Sequence, residues 1–337
     1  MFNFDAGRFL QIQEGAVTQA QALRPHITDL LGNGAQNIFL LGTGGAAILM
    51  EPAADLLRKR STFPVFTEFT AELNVESSIH LGANSIVVIP SLSGTTKESI
   101  ELLETTQAAG AHVIVLTGHA NTPLAQKADK AFVNFAEDDT SCESFYIQSY
   151  AIAHAIMAAR GELDDADGLY KELDQLPKLL LSVKEQFEAE AEQIATHIQN
   201  MDYHIISGAG NTWPEAHYYG MCILEEMQWI RTRPVHASHF FHGTLELLEK
   251  DVSVVLYKGE DAYRPLVERV EKFARQYTNE LIIFDTAKYE MGTLSPAARA
   301  IASPIVLATM MERMSAHLES LRNHPLTTRR YYKRVAY

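Results

Sequence analysis

The sequence predicts an α/β protein of two three-layer αβα units with mainly parallel sheets, flanking helices and a C-terminal tail. Three observations carry that prediction. Short Val, Ile and Leu runs alternate with segments of helical length, two of those runs end in glycine-rich turns, and the runs recur at a nearly constant offset along the 337 residues.

Residues 5–32 read as a helix, with Pro25 as the candidate break. A compact apolar run follows and ends in glycines, Asn37-IFLLGTGG-Gly45, and leads into a helix to about Lys59. Further strand candidates are SIVVIP at 85–90, HVIVLTG at 112–118, HIISGAG at 204–210, VSVVLY at 252–257 and ELIIFDT at 280–286. Each is too short for a helix and lacks polar alternation, so both faces should be covered, as in a parallel sheet between helices.

The repeat is read by subtraction. Gly42 and Gly208 are 166 apart, as are Gly44 and Gly210 and the strands near Ile86 and Val252; those at Val113 and Leu281 differ by 168. A duplicated α/β unit accounts for this spacing. The domains expected are an N-terminal helical segment (1–33), a first unit (34–160), a helical connector (161–200), a second unit (201–320) and a tail (321–337). The charged span from Asp164 to Glu192 reads as the solvated part of the connector.

Lys and Arg number 28 against 42 Asp and Glu, a net charge of −14. Such a chain repels a phosphodiester backbone, which argues against nonspecific nucleic-acid binding but leaves small anions open. The charge is uneven: residues 322–337 hold five basic and no acidic side chains, so the rest carries −19. No apolar run approaches the roughly 20 residues that span a bilayer. The N-terminus, with Asp5 and Glu14 in a helical pattern, lacks the marks of a secretory leader. Only Cys142 and Cys222 occur, which suits a reducing compartment, and a cytoplasmic protein is expected.

The loop Ser91-Leu92-Ser93-Gly94-Thr95-Thr96 lies between a strand and the helix KESIELLETTQAAG. At such a junction, free backbone N–H groups and the positive helix end favour an anion, and hydroxyls add donors for phosphate oxygens. Helix capping alone would need one hydroxyl, and here are four in six residues. Gly42, Gly44 and Ala47 fit a G-x-G-x-x-A spacing, but only Glu68 supplies the acidic residue expected of a dinucleotide site, and poorly. Close backbone approach to a small ligand, or a tight strand-to-helix turn, explains these glycines better.

His236, His239 and His242 recur at a spacing of three that would bring them together on one helical face. They match no familiar metal motif and lack a carboxylate or thiolate complement, so no metal is expected. Proton transfer by one imidazole fits better, its ordinary pKa being near neutral, against the plain alternative of structural histidines. Glu226, beside Glu225, reads by itself as a solvated helix carboxylate.

The segments SGAG at 207–210, Glu226-Met-Gln-Trp-Ile, His236, Phe240-Phe-His242-Gly243 and the tail His324-Pro-Leu-Thr-Thr-Arg-Arg-Tyr331 give these residues a different weight. With S-x-S-G-x-T in the first half, they resemble the sugar isomerase (SIS) domain deglycases, which act on 6-phosphorylated glycated amino acids. The resemblance covers nearly the whole chain. It implies that Ser91, Ser93 and Thr96, with Thr43 and the Gly44 turn, hold a sugar phosphate, and that Glu226 and His242 are the catalytic acid and base. It further implies that His236, His239, Arg329, Arg330 and Tyr331 contribute to substrate binding and that the tail closes a site at a dimer interface. A homodimer or higher homo-oligomer is therefore expected, with a phosphosugar-amine as substrate and neither nucleic acid nor membrane as partner.

Three positions depart from the family pattern: His239 stands where relatives often carry a carboxylate, Ala46 where a serine is common, and Thr67–Glu72 differs. The amine and the sugar isomer therefore stay open. The chemistry implied is enaminol formation followed by imine hydrolysis, which needs no metal or redox cofactor. Alternatives are a glucosamine-6-phosphate isomerase or deaminase and a noncatalytic phosphosugar sensor.

Overall fold

The computed structural model describes residues 1–136, 141–332, 334 and 335. Residues 137–140 of the first expected unit, and Lys333, Ala336 and Tyr337 of the expected tail, lie outside the described residues. The chain divides into two compact units, an N-terminal one, Ala6–Pro177, and a C-terminal one, Lys178–Tyr337 with Met1–Asp5.

In the N-terminal unit, α1 (Ala6–Gly32) leads into β1 (Asn37–Leu40), α2 (Gly45–Ile48), α3 (Glu51–Arg60), β2 (Val65–Phe66) and α4 (Thr70–Val75). Then come β3 (Ser85–Ser91), α5 (Lys97–Ala108), β4 (His112–Thr117), α6 (Pro123–Lys127), β5 (Lys130–Val133), α7 (Ser141–Ala159) and α8 (Ala166–Leu173). The strands form one parallel sheet in the order β2-β1-β3-β4-β5. Phe39, Val87, Ile89, Val113 and Val115 share one core cluster with Leu73 of α4, Leu102 and Leu103 of α5 and Leu124 of α6. Their neighbours Ile38, Leu40, Ile86, Val88, Ile114 and Leu116 are buried as well. Successive strand residues face opposite sides, so both faces of the sheet are covered, as the unbroken apolar runs predict. Helix α1 packs along α7 and runs on through Pro25, so the expected break does not occur.

The C-terminal unit contains α9 (Leu176–Gln199, its first two residues apart), β6 (Tyr203–Gly208), α10 (Trp213–Tyr218) and a nine-residue π-helix, Tyr219–Met227. After it come β7 (Arg231–His236), α11 (Ala237–Phe240), β8 (Ser253–Lys258), α12 (Arg264–Tyr277), β9 (Leu281–Asp285) and α13 (Pro296–Leu321). This sheet is also parallel, in the order β7-β6-β8-β9. Ile205, Val254 and Leu256 cluster with Phe240 of α11 and with Val267, Val270 and Ala274 of α12. Phe187 of α9 meets Phe284 and Tyr289 edge-on, and the Tyr257 hydroxyl donates to Met311 Sδ of α13 at 2.8 Å.

The sheet orders correspond strand for strand, β1 to β6, β2 to β7, β3 to β8 and β4 to β9. The offset extends to strands that hydropathy does not reveal, since Val65 of β2 and Arg231 of β7 are also 166 apart.

The reading of 164–192 as a solvated connector needs correction. Lys184 of α9 is fully buried, donates to Thr309 O at 3.2 Å and is ion-paired with Glu312 of α13. Glu188 accepts from Arg313 Nε and from the Phe2 N–H, each at 2.7 Å, and pairs with His317. Arg313 is itself fully buried. These charges are matched by residues about 125 positions away, which no local charge count can anticipate.

Candidate active site

The loop after β3 turns at Gly94, which has φ +62°. A Cβ there would come within 2.2 Å of Thr122 Oγ1, so both the backbone conformation and the space require glycine. Thr96 occupies the N-cap of α5 without a side-chain cap hydrogen bond. Capping therefore does not explain its hydroxyl, while the first-turn N–H groups of any helix lack intrahelical partners. Ser93 Oγ accepts from the Thr95 hydroxyl at 3.1 Å, and Ser91 is buried at the end of β3. Thr43 Oγ1 lies 3.0 Å from Ser99 Oγ in the first turn of α5, and Gly44 stands exposed beside it. Two β-strand ends and one helix start thus gather hydroxyls and free N–H groups, an arrangement suited to an anion. Sequence reasoning missed Ser99 and also Thr70, whose hydroxyl holds the carbonyl of Gly42.

The corresponding region of the C-terminal unit is already filled. Asp261 accepts from the N–H groups of Asn211 and Tyr263, each at 2.9 Å, and Glu260 is ion-paired with Arg299 at 2.7 Å. Internal carboxylates take the backbone donors that remain available in the first copy.

Glu226 lies on the π-helix, a geometry common at functional positions. It lines a cavity of about 620 Å³ with Tyr203, Trp229, Arg231, Arg329, Arg330 and Tyr331 among its walls. The helix closes with the Ile230 N–H bonded to Leu224 O at 2.8 Å and with Trp229 at φ +56°. That bond reaches one residue further back than in a Schellman ending, in keeping with the wider π-turn, and tryptophan takes the left-handed position where glycine is usual, a strain of about 1–2 kcal/mol. The tail offsets it: Arg330 stacks 4.1 Å from the Trp229 ring centroid, and His324 meets the same ring edge-on. Gln228 Nε2 donates to His324 O at 2.7 Å, Arg322 donates back to Gln228 O at 3.1 Å, and Arg329 Nε pairs with Glu226 at 2.9 Å. The Glu226–Ile230 block and the tail motif are thus one packed structure. Cys222, on the same π-helix, has its thiol pushed up to about 12 by burial and by the nearby Glu226, Glu215 and Glu225.

His242 lines a second cavity of about 1050 Å³ with Trp213, Arg233, His236, Ser238, His239 and Thr244. The three histidines do share a space, but not through one helical face: His236 ends β7, His239 lies in the short α11, and His242 follows in a turn. Gly243, at φ +145°, makes that turn. His236 Nδ1 accepts from the Ser238 N–H at 3.2 Å, which favours the neutral ring with its proton on Nε2. Trp213 stacks on His217, whose pKa is lowered by burial. Glu226 and His242 line different cavities, and β7 contributes Arg231 to the first and Arg233 to the second.

Among the described residues no group of three or more His, Cys, Asp or Glu is arranged to hold a metal ion, and no helix is long and apolar enough to cross a membrane.

Residues 33–158 match the SIS domain model. The fructosamine deglycase FrlB of Bacillus subtilis (strain 168) is 28% identical over 313 residues, covering 92% of this chain and 95% of that protein. The fructoselysine 6-phosphate deglycase of Escherichia coli O157:H7 is 24% identical, covering 91% and 88% respectively. A B. subtilis crystal structure described as a phosphosugar isomerase superposes with a TM-score of 0.88 at 27% identity, over 96% of this chain and 99% of that one. The domain match, the full-length likeness to deglycases and the shared fold agree: residues 33–158 match the SIS domain, and the chain over most of its length is similar to deglycases and to a phosphosugar isomerase structure.

Proposed function

We propose that the protein is a deglycase that hydrolyses a 6-phosphorylated glycated amino acid to a hexose 6-phosphate and the free amino acid. The observation that carries this reading is that Glu226 and His242, sixteen residues apart, each line a cavity. The full-length similarity to a fructosamine deglycase supports it.

The loop from Ser91 to Thr96, with Thr43 and Gly44, holds the phosphate and so supplies binding energy remote from the reacting carbons. For a 1-amino-1-deoxyketose 6-phosphate, Glu226 removes a proton from C1 while His242 opens the ring and delivers a proton to O2, giving an enaminol. Return of a proton to C2 gives an imine at C1, and water adds there to release glucose 6-phosphate and the amine. For a 2-amino-2-deoxyaldose 6-phosphate, C2 loses the proton, O1 gains one, and reprotonation at C1 gives a C2 imine that yields fructose 6-phosphate. His236, His239, Arg329, Arg330 and Tyr331 contact the substrate around these groups. In this proposal the working enzyme is a homodimer or higher homo-oligomer, with the tail closing a site where two copies meet. Cys142 and Cys222 are both buried and not joined in a disulfide, in keeping with the cytoplasm.

The test is product analysis. Ketose-derived and aldose-derived phosphorylated glycated amines are incubated with wild type and Glu226→Gln, and released amino acid, ammonia and hexose 6-phosphate are measured. Glu226→Gln should lose at least about 10²-fold in turnover with little change in phosphate affinity. Near-wild-type turnover in that variant, or release of ammonia alone, overturns the reading.

A further inference from the structure

We infer that Arg233 recognises the carboxylate of the departing amine and so makes the enzyme selective for glycated amino acids over other glycated amines. The inference rests on the deglycase reading and goes on to assign a residue to the part of the substrate that is not sugar.

Arg233 belongs to β7, the edge strand of its sheet, and lines the cavity that contains His242. Its Nε donates to the buried Thr244 hydroxyl at 3.3 Å, which fixes the plane of the guanidinium. Among the described residues its two Nη groups make no hydrogen bond or ion pair. The remaining walls include three histidines and no Asp or Glu. A tethered guanidinium with an open pair of donors, in a cavity free of competing carboxylates, matches a planar carboxylate in two-point contact.

The chemistry fixes which carboxylate. His242 serves O2 or O1, on the carbon next to the one that bears the amine, so the proposed roles put the amine nitrogen within reach of this cavity. The carboxylate, two bonds from an α-nitrogen and six from a lysine side-chain nitrogen, then falls within the walls of the same cavity of about 1050 Å³. Trp213, stacked on His217, offers an apolar surface for the intervening carbons. Arg231, two residues earlier on the same strand, lines the Glu226 cavity instead, whose walls include Glu225 and Glu226.

The experiment compares 6-phosphorylated glycated amines that differ only in the carboxylate, lysine against cadaverine and alanine against ethylamine, in wild type, Arg233→Gln, Arg233→Lys and Arg231→Gln. Wild type should favour the carboxylate-bearing member by about 10- to 100-fold in kcat/KM. Arg233→Gln should erase most of that preference by losing activity on the amino-acid substrates alone, and Arg233→Lys should restore part of it. Equal losses on both members of a pair would overturn the inference by pointing to a structural or phosphate-binding role. So would loss of the preference in Arg231→Gln rather than Arg233→Gln. If wild type turns over no member of any pair, the deglycase reading falls together with this one.

Discussion

Arg329 delivers its Nε to Glu226 Oε1 at 2.9 Å while its Nη1 is held by the carbonyls of Leu326 and Thr328, at 2.6 and 2.9 Å. The tail therefore constrains the carboxylate that is assigned to the proton transfer at carbon. Arg329→Gln should lower kcat by about 10-fold or more, since small displacements of a reacting group are costly, while phosphate affinity stays near wild type. Steady-state kinetics with phosphate inhibition separates the two effects. A change confined to KM would assign Arg329 to substrate binding alone.

Trp229 makes a related prediction of unusual sign. Trp229→Gly removes about 1–2 kcal/mol of backbone strain and also removes the ring on which Arg330 and His324 rest. Stability should change by no more than about 1 kcal/mol, whereas turnover should fall as the tail loosens. Thermal unfolding and kinetics on the same sample provide the check.

Gly94→Ala forces a Cβ against Thr122 and a left-handed backbone on alanine. A loss of about 1–3 kcal/mol is expected, with a smaller thermal shift on adding inorganic phosphate. Gly82→Ala is the control, because a Cβ there meets nothing within 4 Å, and it should stay within about 0.5 kcal/mol of wild type.

Glu188 links the N-terminal residues to α13. The Arg313 guanidinium, the Phe2 N–H and His317 outweigh burial and hold its carboxyl at about 2. Because the folded value lies below the unfolded one, the stabilisation is complete above the ordinary carboxylate range and disappears as pH falls through about 2. Glu188→Gln, which leaves buried Arg313 with only the Glu312 carboxylate at 3.9 Å as counter-charge, should cost about 2–4 kcal/mol at pH 7. Denaturant titrations should show the gap between variant and wild type closing below about pH 4.

Cys222 should resist alkylation in the native protein at pH 8, because its raised pKa leaves almost no thiolate. Mass spectrometry after iodoacetamide treatment should find it modified only on unfolding.

What the sequence made legible follows from physics. Runs such as SIVVIP and VSVVLY announce central strands because both of their faces are buried. Edge strands have no such pressure: β7 reads Arg-Thr-Arg-Pro-Val-His, and Pro234 is tolerated there because β7 has a neighbour on one side only. The hydroxyl loop was readable because its residues are consecutive, whereas Ser99 and Thr70 enter the same region through the fold. The three histidines were rightly grouped and wrongly shaped, since a strand end, a four-residue helix and a turn do what one helical face was expected to do. The π-helix left no trace in hydropathy.

That π-helix has a consequence of phase. An α-helix advances about 100° per residue, and a wider turn accommodates an extra residue within a similar rise. The direction in which Glu226 faces is therefore set by how many residues are packed between Tyr219 and Met227 as much as by which residues they are. Deleting one position upstream of Glu226 while the turns stay wide would swing the carboxylate by roughly one residue's rotation and carry it off the cavity wall without altering a single charge, whereas tightening to α geometry at the same time would largely restore its direction.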